Sequence, residues 1–227
     1  MKNKNLKINK KKKSNKFKKT KIDNAISILK KQSKKKFIES IDVVIMLGID
    51  PKKTDQNIRG ATVLPHGNGK MVKVAVFADG KKAEEAKNAG AEFIGMDDLS
   101  NRIKKNEIKF DVTVATPESM KIVSLLGAIL GPKGLMPNHK IGTITSNIYD
   151  TIKKIKNGQI RYKNDKNGII HTSIGKINFS SIQIKENLAS LIKDLNKQKP
   201  NKIKGIYLKK IFLTTTMGPS IEIKKSI

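Results

Sequence analysis

The sequence predicts an α+β domain built from both ends of the chain, with a Rossmann-like α/β domain of three layers inserted between them. Three strand–helix alternations within about 60 residues are typical of a small parallel sheet wrapped by helices. The segment before them offers one helix and about two strands, too few to close a hydrophobic core alone, and the C-terminal part supplies a further helix and strands. We therefore expect a basic flexible arm at residues 1–21, a first domain at 22–67 and 159–227, and the insert at 68–158.

The first domain is predicted to begin with a helix and a long strand. Apolar residues with helical spacing surround Asp23, which can cap a helix that fades in the lysine-rich stretch 30–36. From Ser40 the apolar residues recur with a period of two, which predicts a strand with one buried face. A short strand at 61–64 and a loop at 65–69 follow. The buried face of the long strand is expected to carry Ile41, Val43, Ile45, Leu47 and Ile49.

The insert is predicted to contain three buried strands, each followed by a helix. Strands are expected at residues 72–77, 92–95 and 111–115, and helices at 81–89 and 97–105. Thr116 and Pro117 have the residue types of an N-cap and a first helical position, so a third helix is expected to begin there. A loop rich in Gly and Pro occupies residues 130–138.

The remaining elements return the chain to the first domain. A helix with an apolar stripe stops at Asn157 and Gly158. Two apolar runs flank the segment 164–168, whose Asn, Asp and Gly residues are typical of a β-hairpin. Ser180 is placed to cap a long helix, and residues 205–216 alternate as a terminal strand. The long helix is expected to bury Ile184, Leu188, Leu191 and Leu195.

The chain is strongly basic, which indicates a polyanionic partner. Its 48 Lys and Arg residues against 19 Asp and Glu give a net charge of +29, and nucleic acid is the commonest partner of such chains. Only Arg59, Arg102 and Arg161 are arginines. The excess of Lys, Asn and Ile is also typical of a codon bias toward A and T, so charge alone is a weak functional argument.

Composition also excludes several kinds of site. Without cysteine there can be no disulfide or thiolate zinc site, and three histidines far apart in sequence argue against a histidine-rich metal site. The longest apolar run is far shorter than the roughly 20 residues of a membrane helix. No metal and no membrane partner are therefore predicted.

A nucleotide-dependent enzyme is the alternative that a parallel sheet beside glycine-rich loops invites. A P-loop needs Gly, four residues and then Gly-Lys-Ser/Thr, but no glycine stands five positions before Gly69, and Met71 occupies the hydroxyl position. The adjacent Asp97 and Asp98 are better explained as first-turn acids favoured by the helix dipole than as paired catalytic carboxylates. No catalytic residue and no cofactor are therefore predicted.

Two segments have residue types that suit RNA contacts, and each also has a structural interpretation. Phe37 ends a cationic run and could stack on a base, while periodicity alone favours a core position for it. Residues 214–219 place threonines, Met217 and a Gly-Pro turn at a strand end. Their hydroxyls and a free backbone N–H of Gly218 could bind phosphate or ribose oxygens, or the segment could be an ordinary strand end. His171 is similarly open between a polyanion contact and a surface position.

Several blocks of the sequence together resemble one known family. In chain order they are Leu-Gly-Ile-Asp-Pro at 47–51, Asp-Gln-Asn-Ile-Arg-Gly at 55–60, Leu-Pro-His-Gly at 64–67, Gly-Lys at 69–70, Gly-Pro-Lys-Gly-Leu-Met-Pro-Asn at 131–138 and Thr-Thr-Thr-Met-Gly-Pro at 214–219. In these blocks the chain resembles the large-subunit ribosomal protein L1 family in its bacterial form, over roughly residues 22–223. The resemblance implies a two-domain protein whose first domain contains both termini.

The resemblance also implies a function and partners. Members of this family bind the mobile stalk of large-subunit rRNA beside the exit site for tRNA, assist release of deacylated tRNA, and typically repress translation of their own mRNA through a leader that imitates the rRNA site. We therefore expect a non-enzymatic, ribosome-bound protein of the bacterial cytoplasm rather than of an organelle, monomeric when free. The alternative is a nonspecific basic nucleic-acid-binding protein.

Carried over by position, the resemblance implies an RNA contact patch in the first domain. Its main residues are expected to be Lys36, Phe37, Glu39, Asp42, Thr216, Met217 and Gly218, which moves Phe37 from the core to the surface. Further contacts are expected from His171, Lys176, Lys210 and Thr214. A second set is expected in the loop of the insert, at Gly131, Pro132, Lys133, Gly134 and Met136.

Overall fold

Nine strands in the described part of the chain form three separate sheets, on which seven helices pack. The computed structural model describes residues 19–33, 36–200, 203 and 205–224, so most of the predicted basic arm lies outside the described residues. The strands are β1 Ser40–Leu47, β2 Arg59–Val63, β3 Val74–Phe77, β4 Phe93–Gly95, β5 Val112–Ala115, β6 Gln159–Lys163, β7 Ile169–Lys176, β8 Leu208–Thr215 and β9 Ile221–Ile223. The helices are α1 Ile22–Gln32, α2 Lys81–Asn88, α3 Asp97–Lys104, α4 Met120–Leu125, α5 Gly127–Leu130, α6 Ile148–Lys156 and α7 Ser181–Lys197, with short 3₁₀ turns at Thr54–Gln56 and His139–Ile141.

The largest sheet is antiparallel, with the strand order β7-β1-β8-β9. The alternating sequence of β1 buries the predicted apolar face as far as Leu47, and the amphipathic helices α1 and α7 cover it. The four apolar residues predicted for α7 are fully buried. α7 also begins at the predicted cap, since Ser180 and Gln183 exchange the hydrogen bonds of a capping box. The core beneath this sheet therefore draws on residues from both ends of the chain.

The segment between β2 and β6 contains a parallel sheet with the order β4-β3-β5. Every residue of β3 and β5 is buried, because helices cover both faces of this sheet. α2 and α6 pack on one face, and α3, α4 and α5 on the other, in two distinct hydrophobic clusters. The mixed α/β class is confirmed. The division of the chain into two domains at the predicted boundaries stays a prediction.

The predicted hairpin around residues 164–168 is only partly correct. β6 pairs with β2 whereas β7 pairs with β1, so the strands that flank the turn belong to different sheets. One antiparallel bridge, between Asn164 and Ile170, is what remains of the hairpin. Asn164 accepts a hydrogen bond from the N–H of Ile58 at 2.7 Å, which ties the end of β6 to the segment before β2.

Two predicted helix starts are wrong. α1 begins one residue before Asp23, which therefore lies in the first turn and forms an ion pair with Lys185 at 2.6 Å instead of capping. α4 begins at Met120, three residues later than the predicted start. The hydroxyl of Thr116 accepts a hydrogen bond from the N–H of Ser119 at 3.2 Å, and this turn precedes the helix.

The two connections between the four-stranded and the parallel sheet touch each other. Gly67 and Gly158 both have positive φ, and a Cβ on Gly158 would lie 2.3 Å from the Cα of Gly67. The buried side chain of Asn187 donates hydrogen bonds to the carbonyl oxygens of Gly67 and Ile174, both at 2.8 Å. It also accepts one from the N–H of His66 at 3.1 Å. This single amide anchors the first connection to α7 and β7.

Candidate nucleic-acid interface

Three strands have their ends at the same end of the four-stranded sheet, and these ends bring together most of the predicted contact residues. β1 begins there, while β7 and β8 finish there. The register places Asp42 between Thr214 of β8 and Ser173 of β7, and it places Ser40 opposite Lys176. We call residues 36–42, 176 and 214–218 the sheet-end patch.

The carboxylate of Glu39 holds the sheet-end patch together from inside. Its side-chain oxygens accept hydrogen bonds from the hydroxyl of Ser33 at 2.9 Å and from the backbone N–H of Met217 at 3.2 Å. Its carbonyl oxygen accepts a third from the N–H of Ile177 at 3.0 Å. Glu39 is only 1% exposed, so its carboxylate has almost no surface to offer a ligand. The burial of this side chain argues against the direct RNA contact expected from it.

Thr216 and Gly218 shape the turn that follows β8. The hydroxyl oxygen of Thr216 accepts a hydrogen bond from the N–H of Ser40 at 3.2 Å, and the residue is otherwise exposed. The N–H of Gly218 donates to the carbonyl oxygen of Thr215 at 3.2 Å, so the expectation of a free N–H at this position is wrong. A Cβ on Gly218 would lie 2.2 Å from the hydroxyl oxygen of Thr215, so a larger residue there would force the Thr215 side chain to shift.

Large apolar side chains stand exposed on the segments that Glu39 joins. Phe37 is 51% exposed, Ile38 54% and Met217 64%. The core position that periodicity favours for Phe37 is therefore wrong, and the surface position implied by the family resemblance is correct. Exposed apolar groups that cluster on one surface mark interaction sites, because they gain free energy when a partner removes them from water.

The face of the sheet that α1 and α7 leave uncovered carries two further predicted contacts. His171 is paired with Val44 of β1, and Lys210 is paired with Met46. Both the histidine and the lysine are exposed. Lys210 lies four residue positions along β1 from Asp42, a distance of roughly 13 Å, so it borders the sheet-end patch rather than belonging to it.

The predicted loop of the insert borders a different core cluster. Its exposed members are Gly131, Pro132, Lys133 and Gly134. Met136 is half-buried against the cluster formed with α3, α4 and α5, and the ammonium of Lys133 donates to the side-chain oxygen of Asn106 at 3.2 Å. Gly134 has φ of 67°, a conformation that favours glycine. The structure therefore groups these residues with one another, not with the sheet-end patch.

Sequence reasoning missed three residues in or beside the sheet-end patch: Ser33, Ile38 and Ser40. Ser33 hydrogen-bonds Glu39, 6 positions away, and Ser40 hydrogen-bonds Thr216, 176 positions away, so no local motif marks either serine. Ile38 carries a weak signal, because two adjacent apolar residues between a lysine run and a buried acid are unusual just before an alternating strand.

Other kinds of site find little support in the described residues. They contain no group of three or more His, Asp or Glu side chains that could hold a metal ion. None of their helices is long and apolar enough to cross a membrane.

Comparison with known proteins decides the family. Residues 29–219, which include the whole sheet-end patch, match the Ribosomal protein L1p/L10e family. The chain belongs to this family. It is 56% identical over 205 residues to the "Large ribosomal subunit protein uL1" of Haemophilus influenzae strain Rd, covering 90% of both chains. The protein of the same name from Haemophilus ducreyi is 55% identical over the same share. The assignment to the bacterial form of the family is thereby confirmed.

Proposed function

We propose that this protein is a structural, non-enzymatic constituent of the large ribosomal subunit that binds large-subunit rRNA through the sheet-end patch. The name of its relatives supports the ribosomal role, and membership of the family supports RNA binding. We choose this surface because the buried Glu39 joins two segments that carry exposed apolar side chains. Phe37 lies on one segment and Met217 on the other.

The sheet-end patch offers groups that suit a folded RNA. The exposed ring of Phe37 can pack on a base or a ribose, and the flexible thioether of Met217 can adapt to an irregular surface. The exposed hydroxyl of Thr216 can hydrogen-bond a ribose 2′-hydroxyl or a phosphate oxygen. Because A-form major grooves admit few side chains, such contacts read the shape and hydroxyls of a folded site rather than a duplex sequence.

Net charge plays a secondary part in this proposal. The sheet-end patch contains two lysines, the exposed Lys36 and the partly exposed Lys176, and two acids, the partly exposed Asp42 and the buried Glu39, so it is far less cationic than the whole chain. Lysines elsewhere raise affinity for any RNA by releasing counterions, without discriminating between sequences. Discrimination therefore falls to the uncharged residues.

Family membership supports a finer form of the proposal. The ligand would be the mobile stalk of large-subunit rRNA beside the exit site for tRNA, and the protein would assist release of deacylated tRNA. Its own mRNA, through a leader that imitates the rRNA site, would be a second ligand by which it represses translation. We also propose that residues 22–67 and 159–227 form the RNA-binding domain and residues 68–158 the insert, in keeping with the separate core clusters.

Competition binding at moderate salt tests the proposal. A labelled fragment of the stalk rRNA is bound to the full chain and challenged with unlabelled stalk fragment or with duplex RNA of equal length. We expect the stalk fragment to compete at least about tenfold better, a difference of about 1.4 kcal/mol. Equal competition by the two RNAs would overturn the proposal and favour a nonspecific basic nucleic-acid-binding protein.

A further inference from the structure

The outward side of α7 carries a second apolar stripe, beside the one that the helix buries in the core. Its members are Ile182, Ala189 and Ile192, whose spacing places them on one side of a helix. Ile182 is 66% exposed, Ala189 is also exposed, and Ile192 is half-buried. We call these three residues the outer stripe. Exposed apolar side chains that share one side of a helix can pack against a partner.

Two depressions meet at the middle of the outer stripe. The first has a volume of about 440 Å³ and lies between α7, the N-terminal end of α1 and the residue that follows β9. The second has a volume of about 560 Å³ and continues along the C-terminal half of α7. Ala189 lines both, because its small side chain leaves space between them. Together they form one groove, which we call the outer groove. On α7 it runs from Lys185 to Lys197, about 18 Å or three helical turns.

The outer groove is lined by positive charges that this chain does not neutralise. No ion pair between described residues includes four of its cations, which are Lys21, Lys193, Lys197 and Lys224. Its two acids already have partners. Asp23 pairs with Lys185 at 2.6 Å, and Glu186 contacts a ring nitrogen of His66. A ligand of complementary charge is therefore acidic.

Charge and shape together narrow the choice of occupant. A second copy of this chain carries a net charge of +29, and the segment 1–18 contains nine lysines and no acid, so either would bring like charges to the outer groove. RNA has the right charge, but none of the described residues that line the groove is aromatic, so a base has no ring on which to stack. A phosphate backbone also leaves the outer stripe exposed to water. A helix with one apolar side and flanking acids matches both the stripe and the lysines.

We propose that the outer groove binds an acidic amphipathic helix of another protein. The apolar side of that helix packs on the outer stripe, with one side chain over Ala189, and its acids face the four lysines. The inference goes beyond the proposed function, because the outer groove shares no residue with the sheet-end patch. α1 and α7 cover one face of the four-stranded sheet, whereas the sheet-end patch lies at the strand ends, so helix and RNA can bind at the same time.

A designed peptide of about 18 residues tests the chemistry of the outer groove. It has leucine at heptad positions a and d, glutamate at e and g and alanine elsewhere, and it is labelled for fluorescence anisotropy with the full chain. The control peptide has alanine in place of each leucine, so its charge is the same. We expect the leucine peptide to bind at least about tenfold more tightly, because only its side chains can bury the outer stripe. Equal affinity for the two peptides would overturn the proposal.

Three variants of the full chain locate the binding. Ile182→Ser removes an apolar side chain from the outer stripe, and Ile206→Ser, at a 69% exposed isoleucine beside Gly48, is the matched control. Ala189→Arg fills the outer groove while it adds a positive charge, and arginine has nearly the helix propensity of alanine. We expect Ile182→Ser and Ala189→Arg each to weaken binding of the leucine peptide by about fivefold or more, and Ile206→Ser by less than about twofold.

Ala189→Arg separates packing in the groove from attraction between charges. Tighter binding of the leucine peptide by this variant, or equal effects of the two isoleucine variants, would overturn the proposal. The same variants are titrated with poly(U), after circular dichroism has shown that they are folded. We expect Ala189→Arg to leave the affinity for poly(U) unchanged or higher, because it adds a cation. Weaker binding of both poly(U) and the peptide would mean that RNA occupies the groove, and this too would overturn the proposal.

Discussion

The buried carboxylate of Glu39 accepts a hydrogen bond from the backbone N–H of Met217, 178 positions later in the chain. Glu39 directly precedes β1, and Met217 lies in the turn after β8, so this bond joins the two ends of the chain at the sheet-end patch. It also explains how an acid can contribute to a surface that we propose to bind RNA. The carboxylate stands beneath that surface and positions the exposed side chains on either side.

Replacing Glu39 should therefore weaken RNA binding without removing a contact residue. Glu39→Ala leaves the hydroxyl of Ser33 and the N–H of Met217 without their acceptor, and we expect a loss of about 1–3 kcal/mol in affinity for the stalk fragment. Glu118→Ala, which removes an exposed acid of the insert, is the control and should bind as the parent does. Unchanged binding by Glu39→Ala, measured on protein shown to be folded by circular dichroism, would contradict the role given to this carboxylate.

The exposed residues of the turn after β8 should contribute directly. Met217→Asp places a charge where an apolar contact is proposed, and Thr216→Val removes the acceptor of the Ser40 N–H. Each is expected to cost about 1–3 kcal/mol of specific RNA affinity, measured by titration with the stalk fragment. Met71→Asp alters a 96% exposed methionine outside the sheet-end patch and should cost far less. Equal losses for the two methionine variants would argue for a general charge effect.

The lysine-rich N-terminal segment should act on all RNAs alike. Deleting residues 1–18 removes nine lysines and no acid. We expect lower affinity for stalk and duplex RNA together and a flatter dependence on salt, because fewer counterions are released on binding. The ratio of the two affinities should stay the same. If the deletion abolished discrimination while Thr216→Val and Met217→Asp preserved it, the roles given to charge and patch would be reversed.

The amide of Asn187 should matter for stability more than its neighbours on α7. Asn187→Leu leaves the N–H of His66 and the carbonyl oxygens of Gly67 and Ile174 without their partner inside the protein. We expect the free energy of unfolding to fall by about 2–4 kcal/mol in urea denaturation. Asn196→Leu, at an exposed position of the same helix, should change it by about 0.5 kcal/mol or less. A similar small change at both positions would show that the anchor is dispensable.

Acid sensitivity should involve Asp111. The hydrogen bond from Lys70 at 2.7 Å, with a further one from the N–H of Lys73, lowers the pKa of Asp111 below its ordinary value of 3.8. Because the pKa of Asp111 is lower in the folded state than in the unfolded state, its charge stabilises the fold at pH values above the ordinary pKa. This contribution is lost as the pH falls through the lowered pKa. Asp111→Asn should therefore lose less stability than the parent below about pH 4, as measured by thermal unfolding over a range of pH. The control Asp98→Asn, at an exposed position, should have nearly the same profile as the parent. Identical profiles for Asp111→Asn and the parent would contradict a role for Asp111 in acid sensitivity.

Most elements were predictable because the spacing of apolar residues along the chain shows which face of a strand or helix meets the core. The period of two in β1 and the apolar stripe of α7 are examples. Prediction failed where a distant group competes for a hydrogen bond. The N–H of Ile58 binds Asn164 and helps to draw β6 away from β7, and Thr116 closes a turn with Ser119, whose hydroxyl donates to the carbonyl oxygen of Phe77.

By itself the sequence determined the mixed α/β class, the family and the residue types at the sheet-end patch, since periodicity, turn residues and family motifs are all local in the chain. The tertiary structure alone decided which of those residues face solvent. It buried Glu39, exposed Ile38 and used the N–H of Gly218 within its own turn. It also paired β2 with β6, which places Arg59 opposite Lys163 although the two are about 100 residues apart in the chain. Burial and hydrogen-bond partners depend on strand register between distant segments, and register is set by packing rather than by any local pattern.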